Sequence, residues 1–332
     1  MGDRAWNPAR LYDEYRFSGS LPRRGLLVNG RPALSALDPE RVARYVLITV
    51  RDPLCAYDED PAEQIAGHLE TAERVGRSGM FTTYTGTYDG AAVTVVSGGS
   101  GSPEAELIMH ELLEFTAADT FVRVGGSGGI HPRVAPGDIV VSTGVVRDEG
   151  MTRAYIPASY PAVAHHDVVL AMSLAAEELG CAYHQGVTRS SDSDFVGVGR
   201  PGVGAYFQPW HRDILETWAR AGILNGDRES AAVVTLAALF GKRGGSVCSV
   251  ADNVIADRAF TAGAGHVAAV DVALRGVARL ARLDAARAAT GGRVPWRPVA
   301  APAGDTAPAA GESAGRLTDD LPYPADNVAE NR

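Results

Sequence analysis

The chain has 332 residues, 45% of them hydrophobic, and a formal net charge of −9. That length can bury a substantial core, the acidic balance opposes a nucleic-acid surface, and no apolar run approaches the roughly 20 residues that span a bilayer. Three cysteines, Cys55, Cys181 and Cys248, stand far apart without a CxxC pair and fit neither a zinc site nor a disulfide framework.

In chain order, residues 1–40 are polar and carry no clear periodicity, so they are expected to form an N-terminal extension. The start, MGDRAWNPARLYDEY, lacks the apolar core of a signal peptide, and a cytoplasmic location is expected. YVLITV (45–50) reads as a buried strand and PAEQIAGHLETAERV (61–75) as a helix. FTTYTGTYDGAAVTVVSGG (81–99) reads as a hairpin turning at Asp89-Gly90, because Asp-Gly supplies the positive φ angles of a tight β-turn. SPEAELIMHELLEFT (102–116) has proline at a helix start and apolar residues at helical spacing. TFVRVGG and DIVVSTGVV (138–146) are strands, and DVVLAMSLAAEELG (167–180) is a helix closed by Gly180. AYHQGVTRSSD (182–192) is a strand entering a glycine-rich loop, 196–204. Helices follow at RDILETWARAG (212–222) and ESAAVVTLAALFG (229–241), then the strand GSVCSVADN (245–253) and a long helix over 264–289. Residues 291–332 are rich in Ala, Pro, Gly and acids, a composition that buries too little apolar surface to order itself, and read as a disordered tail. The alternation of strands and helices predicts a single α/β domain over 41–290, three layers deep with a mixed central sheet.

Two glycine-rich stretches follow strands, SGGSGSP (97–103) and GGSGG (125–129). Neither matches the dinucleotide pattern G-x-G-x-x-G. Both read as turns whose exposed backbone N–H groups can form an anion-binding nest. Arg123 supports that reading, since an ordinary buried strand has no use for a guanidinium, whereas a strand ending at an anion does. Lys242 is the sole lysine, so any anion must be met by arginine or by backbone amides. His131, His165, His166 and His211 have no H-x-x-x-H spacing to support a metal site, and none is expected.

RVGGSGGI followed by P-x-V-x-x-G-D-I-V-V resembles the signature of the nucleoside phosphorylase-I family, which includes uridine phosphorylases, hexameric purine nucleoside phosphorylases and related nucleosidases. Further stretches resemble the family in order: FTTYTGTYDG (81–90), YPAVAHHD (160–167), TRSSD (188–192), WARAGILNGDRESAAVVTLAALFG (218–241) and SVADN (249–253). Together they cover about 45 to 285.

The resemblance implies a pentosyltransferase in which inorganic phosphate, and no cofactor, joins a nucleoside. It implies that Glu229 holds the ribose hydroxyls with help from Asp227, and that Arg228 replaces a methionine that packs on the sugar. For phosphate it implies Arg123 with Gly126 and Ser127 of the same stretch; the family's G-D-P-x-R loop is altered here to RDPLC, with Arg51 where glycine belongs. Arg77 stands near the position of an arginine lent by the neighbouring subunit. For the base, Phe195 fits a stacking aromatic, Arg200 or Gln208 could replace the uracil-reading pair, and Asp252 falls where the purine branch has its general acid. The resemblance further implies a homodimer or homohexamer with sites at the dimer interface. Cleavage of a uridine-like, pyrimidine or 5′-modified nucleoside is therefore expected, with a purine phosphorylase, a hydrolase on the same fold and a non-catalytic nucleoside binder as alternatives.

Overall fold

A computed structural model describes residues 9–50 and 60–291. The strands are β1 (Leu27–Val28), β2 (Arg31–Pro32), β3 (Tyr45–Thr49), β4 (Glu73–Arg77), β5 (Phe81–Tyr88), β6 (Ala91–Gly98), β7 (Thr120–Gly129), β8 (Ile139–Asp148), β9 (Ala162–Val163), β10 (Tyr183–Ser191), β11 (Ile223–Asp227) and β12 (Arg243–Asn253). The helices are α1 (Arg10–Asp13), α2 (Pro61–Ala66), α3 (Ser102–Phe115), α4 (Met151–Tyr155), α5 (His166–Glu178), α6 (Pro209–Arg212), α7 (Ile214–Arg220), α8 (Ser230–Leu239) and α9 (His266–Ala289). No helix among the described residues is long and apolar enough to cross a membrane.

The central sheet runs β11-β10-β8-β12-β7-β3-β6-β5-β4 and mixes parallel with antiparallel pairs, as the sequence predicts. One face packs against α2, α5 and α9 around Leu47, Val95, Met172 and Leu274. The other packs against α3 and α8 around Val46, Phe121, Met109 and Leu236. Three layers result because β3 and the start of β7 send apolar side chains to both faces, Leu47 and Val122 to one core and Val46 and Phe121 to the other.

The sheet also closes on itself. Beyond its pairing with β10, β11 pairs antiparallel with β7 through Asn225 opposite Gly129 and Gly226 opposite Gly128. Strands β7, β12, β8, β10 and β11 thereby form a hydrogen-bonded ring, and β3, β6, β5 and β4 extend from it as a wing.

Two local expectations differ. The helix expected over 61–75 stops at Ala66, and Glu73–Arg77 instead becomes the edge strand β4 against β5. Gly67 closes the helix, and Gly76 is needed in the strand because a Cβ there would stand 2.7 Å from the Cα of Leu37. The second difference is larger: Gly125–Gly129 is no turn but the second half of β7, laddered to Cys248, Ser249, Asp252 and Asn253 of β12. None of these five residues has a positive φ, so they form no nest. The first glycine stretch does turn, with Gly99 at φ 27 and Gly101 at φ 99. The Asp89-Gly90 hairpin forms as predicted, both residues at positive φ (49 and 75).

The segment expected as an extension is tied to the body. Glu111 of α3, 2% exposed, accepts from the backbone N–H groups of Leu34 (2.8 Å) and Ser35 (2.9 Å) and from the Ser35 hydroxyl (2.5 Å), and Leu37 is fully buried in the second core. Apart from Gly291, the expected tail over 291–332 lies outside the described residues.

Candidate active site

Where the ring meets α8, three charged side chains are buried together. Residues two apart on a strand share a face, so the Arg123 side chain lies along β7 over residue 125. It can do so only because that residue is glycine: a Cβ there would stand 2.0 Å from Arg123 Nη1. The guanidinium donates from Nη2 to Glu229 Oε2 at 2.8 Å, and its Nε lies 3.4 Å from Asp227 Oδ2. Its Nη1 is buried and has no hydrogen-bond partner among the described residues.

Each acid is held by other donors. Asp227, at the end of β11, accepts from Ser190 Oγ (2.6 Å), Ser230 Oγ (2.5 Å) and the Ser230 N–H (3.1 Å), and so satisfies the first backbone N–H of α8. Glu229 Oε1 accepts the Gly101 N–H at 2.6 Å, delivered by the turn before α3. Burial raises the pKa of Asp227; Arg123 pulls it back and Glu229 pushes it up again. Burial also works against the charge on Arg123, but its electrostatic interactions with Cys248, Glu229 and Asp227 more than restore it, and its pKa is raised. One guanidinium thus serves two acidic side chains and still keeps its Nη1 unengaged among the described residues.

The cluster forms part of the wall of a cavity that is also lined by Ser127, Gly128, Asp194, Arg200, Arg228 and Asp252. Arg228 donates to Asp194 Oδ2 (3.0 Å) and Ser100 Oγ (3.2 Å). Arg200 donates from Nη2 to Asp252 Oδ2 at 2.9 Å. Apolar side chains from Val50, Ile130, Val198, Leu215, Val254 and Phe260 complete the walls.

A profile described as the phosphorylase superfamily matches residues 48–288. The chain belongs to that superfamily. It is 38% identical over 266 residues to a uridine phosphorylase of Thermococcus kodakarensis, covering 79% of this chain and 91% of that one. A uridine phosphorylase of Escherichia coli is 34% identical over 197 residues (59% of this chain, 78% of the relative). A guanosine phosphorylase of Halorubrum lacusprofundi is 29% identical over 199 residues, covering 60% and 77%.

Within this superfamily member, the structure gathers Arg123, Gly126, Ser127, Arg200, Asp227, Arg228, Glu229 and Asp252 around one cavity. Three sequence candidates do not reach it. Phe195 is 63% exposed and is not part of the lining; the aromatic that lines the cavity is Phe260. Gln208 is instead the N-cap of α6, engaged with His211. Arg77, expected to serve the site of a neighbouring subunit, sits on the outer strand β4 and does not line this chain's cavity. Arg51 lies outside the described residues. The hydroxyl of Ser127 is already engaged, donating to the Ser249 carbonyl (2.8 Å) and accepting from Asn225 Nδ2 (2.9 Å).

Sequence reasoning missed Ser100, Gly101, Asp194, Ser190 and Asn225. Ser100 and Gly101 lie in the glycine-rich stretch 97–103, Ser190 in TRSSD and Asn225 in the run over 218–241, but nothing marked these individual residues; Asp194 lies outside every stretch singled out. His165, His166 and Asp167 come within 4.8 Å of one another, the spacing of a metal group. The Asp167 carboxylate, however, already binds Arg287 at 2.5 and 3.0 Å, and His165 Nδ1 accepts the Asp167 N–H as the cap of α5. That carboxylate is neutralised without an ion.

Proposed function

We propose that this enzyme cleaves the N-glycosidic bond of a uridine-like nucleoside with inorganic phosphate, giving free base and ribose-1-phosphate. One observation carries the reading. Arg123 is 2% exposed, borders the cavity, and keeps a buried Nη1 without a partner among the described residues, beside two acidic side chains. Buried donors are costly to leave unsatisfied, and an oxyanion supplies both the missing acceptor and a bidentate match to guanidinium.

The chemistry follows from the charges. As the C1′–N1 bond lengthens, positive charge grows on the ribose and negative charge on the base. Glu229 and Asp227 supply the field for the first and the N–H groups of Arg200 for the second. A phosphate oxygen then bonds to C1′ from the opposite face, while the electron pair of the broken bond leaves with N1, which takes up a proton. Gly126 and Ser127 flank the phosphate. Arg51 and the Arg77 of a second copy are our candidates for the rest of its shell, in a homodimer or homohexamer. Asp194 neutralises Arg228, so this departure from methionine sets no bare cation against the cationic sugar; we assign the pair to the sugar end, where it could also read a 5′ substituent.

The test is product analysis by liquid chromatography on uridine, deoxyuridine, thymidine, inosine, adenosine and 5′-amino or 5′-deoxy uridines, each with and without phosphate. Base together with ribose-1-phosphate, formed only when phosphate is present, is the expected result. Base with free ribose in its absence makes the protein a hydrolase, and ligand-induced thermal stabilisation without product makes it a binder.

A further inference from the structure

Arg189 of β10 is a buried charge with no place in the cavity: it is 4% exposed and is not part of the lining. Its neighbour Ser190 turns to Asp227, so strand alternation turns Arg189 to the opposite face. There it donates from Nε (2.8 Å) and Nη2 (2.5 Å) to Asp148 Oδ2 at the end of β8, and from the same Nη2 to the carbonyl of Gly197 (2.8 Å). Trp218 of α7 lies against the guanidinium, its ring centre 5.3 Å from Cζ. Three pieces of chain therefore meet on one side chain: β8, the loop after β10 and helix α7. Asp148 is fixed by the ladder between β8 and β10. The loop and α7 lie outside the sheet, yet they supply Val198, Arg200 and Leu215 to the cavity wall. They also pack on each other, since a Cβ at Gly199 would stand 3.1 Å from Leu215 Cγ.

We propose that Arg189 is a positioning residue: it ties this wall to the sheet and so sets the affinity for the nucleoside without touching it. The assignment rests on the cavity being a nucleoside site. Arg147, on the next strand, gives the contrast. Its guanidinium donates to the carbonyls of Thr152, Ile156, Pro157 and Tyr160, none of which lines the cavity. Methionine in place of Arg189 would leave the Gly197 carbonyl without its donor and Asp148 without its cation. Asp148 is 34% exposed and can turn to water, so the sheet survives while the loop loses its anchor. A wall displaced by about 1 Å can cost up to roughly 10²-fold in kcat/KM.

The experiment measures uridine and phosphate kinetics for the wild-type protein, Arg189→Met and Arg189→Lys, with hydrogen exchange by mass spectrometry on the same proteins without ligand. In Arg189→Met the uridine KM should rise at least about tenfold while the phosphate KM stays within about twofold, because Arg123 stands on β7. Arg189→Lys keeps one compact donor and should fall between the two. Amides over 193–205 should exchange at least about fivefold faster in Arg189→Met, with β7 and β12 unchanged. An unchanged uridine KM, a parallel rise of both KM values, or unchanged exchange over 193–205 overturns the proposal. Should Arg189→Met not fold, Asp148→Asn takes its place, with about a threefold rise in uridine KM expected and no rise counting against the role. The exchange arm needs no substrate, so a wild-type protein without phosphorolysis would sink the phosphorylase reading while the tie between Arg189 and the loop is still decided.

Discussion

Gly125→Ala tests how firmly Arg123 is held. The added Cβ would stand 2.0 Å from Arg123 Nη1 and 2.9 Å from its Cζ. Ordinary contact needs about 3.5 Å, so the guanidinium must move by roughly 1.5 Å. Its side chain is only 3% exposed, and a shift of that size cannot preserve both the 2.8 Å bond to Glu229 and the 3.4 Å approach to Asp227. Complete loss of a buried ionic partner costs about 3–5 kcal/mol; a displaced partner should cost roughly 2–3 kcal/mol. At about 2–4 °C per kcal/mol for large domains, Tm should fall by roughly 4–12 °C. Urea denaturation of Gly125→Ala, Arg123→Met and the double variant, with the phosphate KM of each folded species, forms a double-mutant cycle. The glycine penalty should nearly vanish in the Arg123→Met background, where the flexible thioether can yield, and the phosphate KM of Gly125→Ala should rise more than about tenfold. An equal penalty in both backgrounds, or an unchanged phosphate KM, would refute the argument that residue 125 is glycine for the sake of Arg123.

Three further outcomes are expected. Glu229→Gln should lower kcat by about 10²–10³-fold, as loss of one preorganised electrostatic group does; steady-state rates within tenfold of wild type would remove Glu229 from the ribose site. Burial pushes the Cys248 thiol up to about 11, so iodoacetamide at pH 8 should label it only after unfolding, and mass spectrometry showing labelling of the native protein would contradict this. Burial acts to raise Asp167, but Arg287, His166 and His165 outweigh it and hold the carboxyl below its usual range. A folded pKa below the unfolded one stabilises above the unfolded value of about 4 and is lost as pH falls through the folded value. Arg287→Met should therefore cost roughly 1 kcal/mol at pH 7, Arg287 being 27% exposed, and almost nothing near pH 2. A constant difference across that range would show that the pair does not set it.

The β5–β6 hairpin and helices α3 and α5 were legible because their signals are local: Asp89-Gly90 for the hairpin, Pro103 for α3, Gly180 for the end of α5. Strand β4 was not, since Glu73–Arg77 continues a helical pattern and becomes a strand only by pairing with β5. The cluster of Arg123, Asp227 and Glu229 could be read because its members stand in runs that resemble a family. The glycines of β7 misled: glycine clusters usually turn, and here the absent side chains make room for a guanidinium and for Asp252 and Asn253 across the ladder. Asp194 and Ser100 could not be found from sequence, because each matters only through its distance to Arg228.

The closure of β11 onto β7 has a consequence for how the protein fails. Arg123, Asp227 and Asp252 all project from members of one ring, and no strand of a closed ladder can slip in register without breaking pairs on both sides. Arg123, Asp227 and Asp252 are therefore parts of one cooperative unit. Heating should leave the amides of these strands protected until global melting, then release them together, so inactivation and unfolding share a single transition. The loop over residues 192–208, which carries Asp194 and Arg200, belongs to no strand of that ring and is tied to it through Gly197, whose carbonyl accepts from Arg189, and through the Arg200–Asp252 pair.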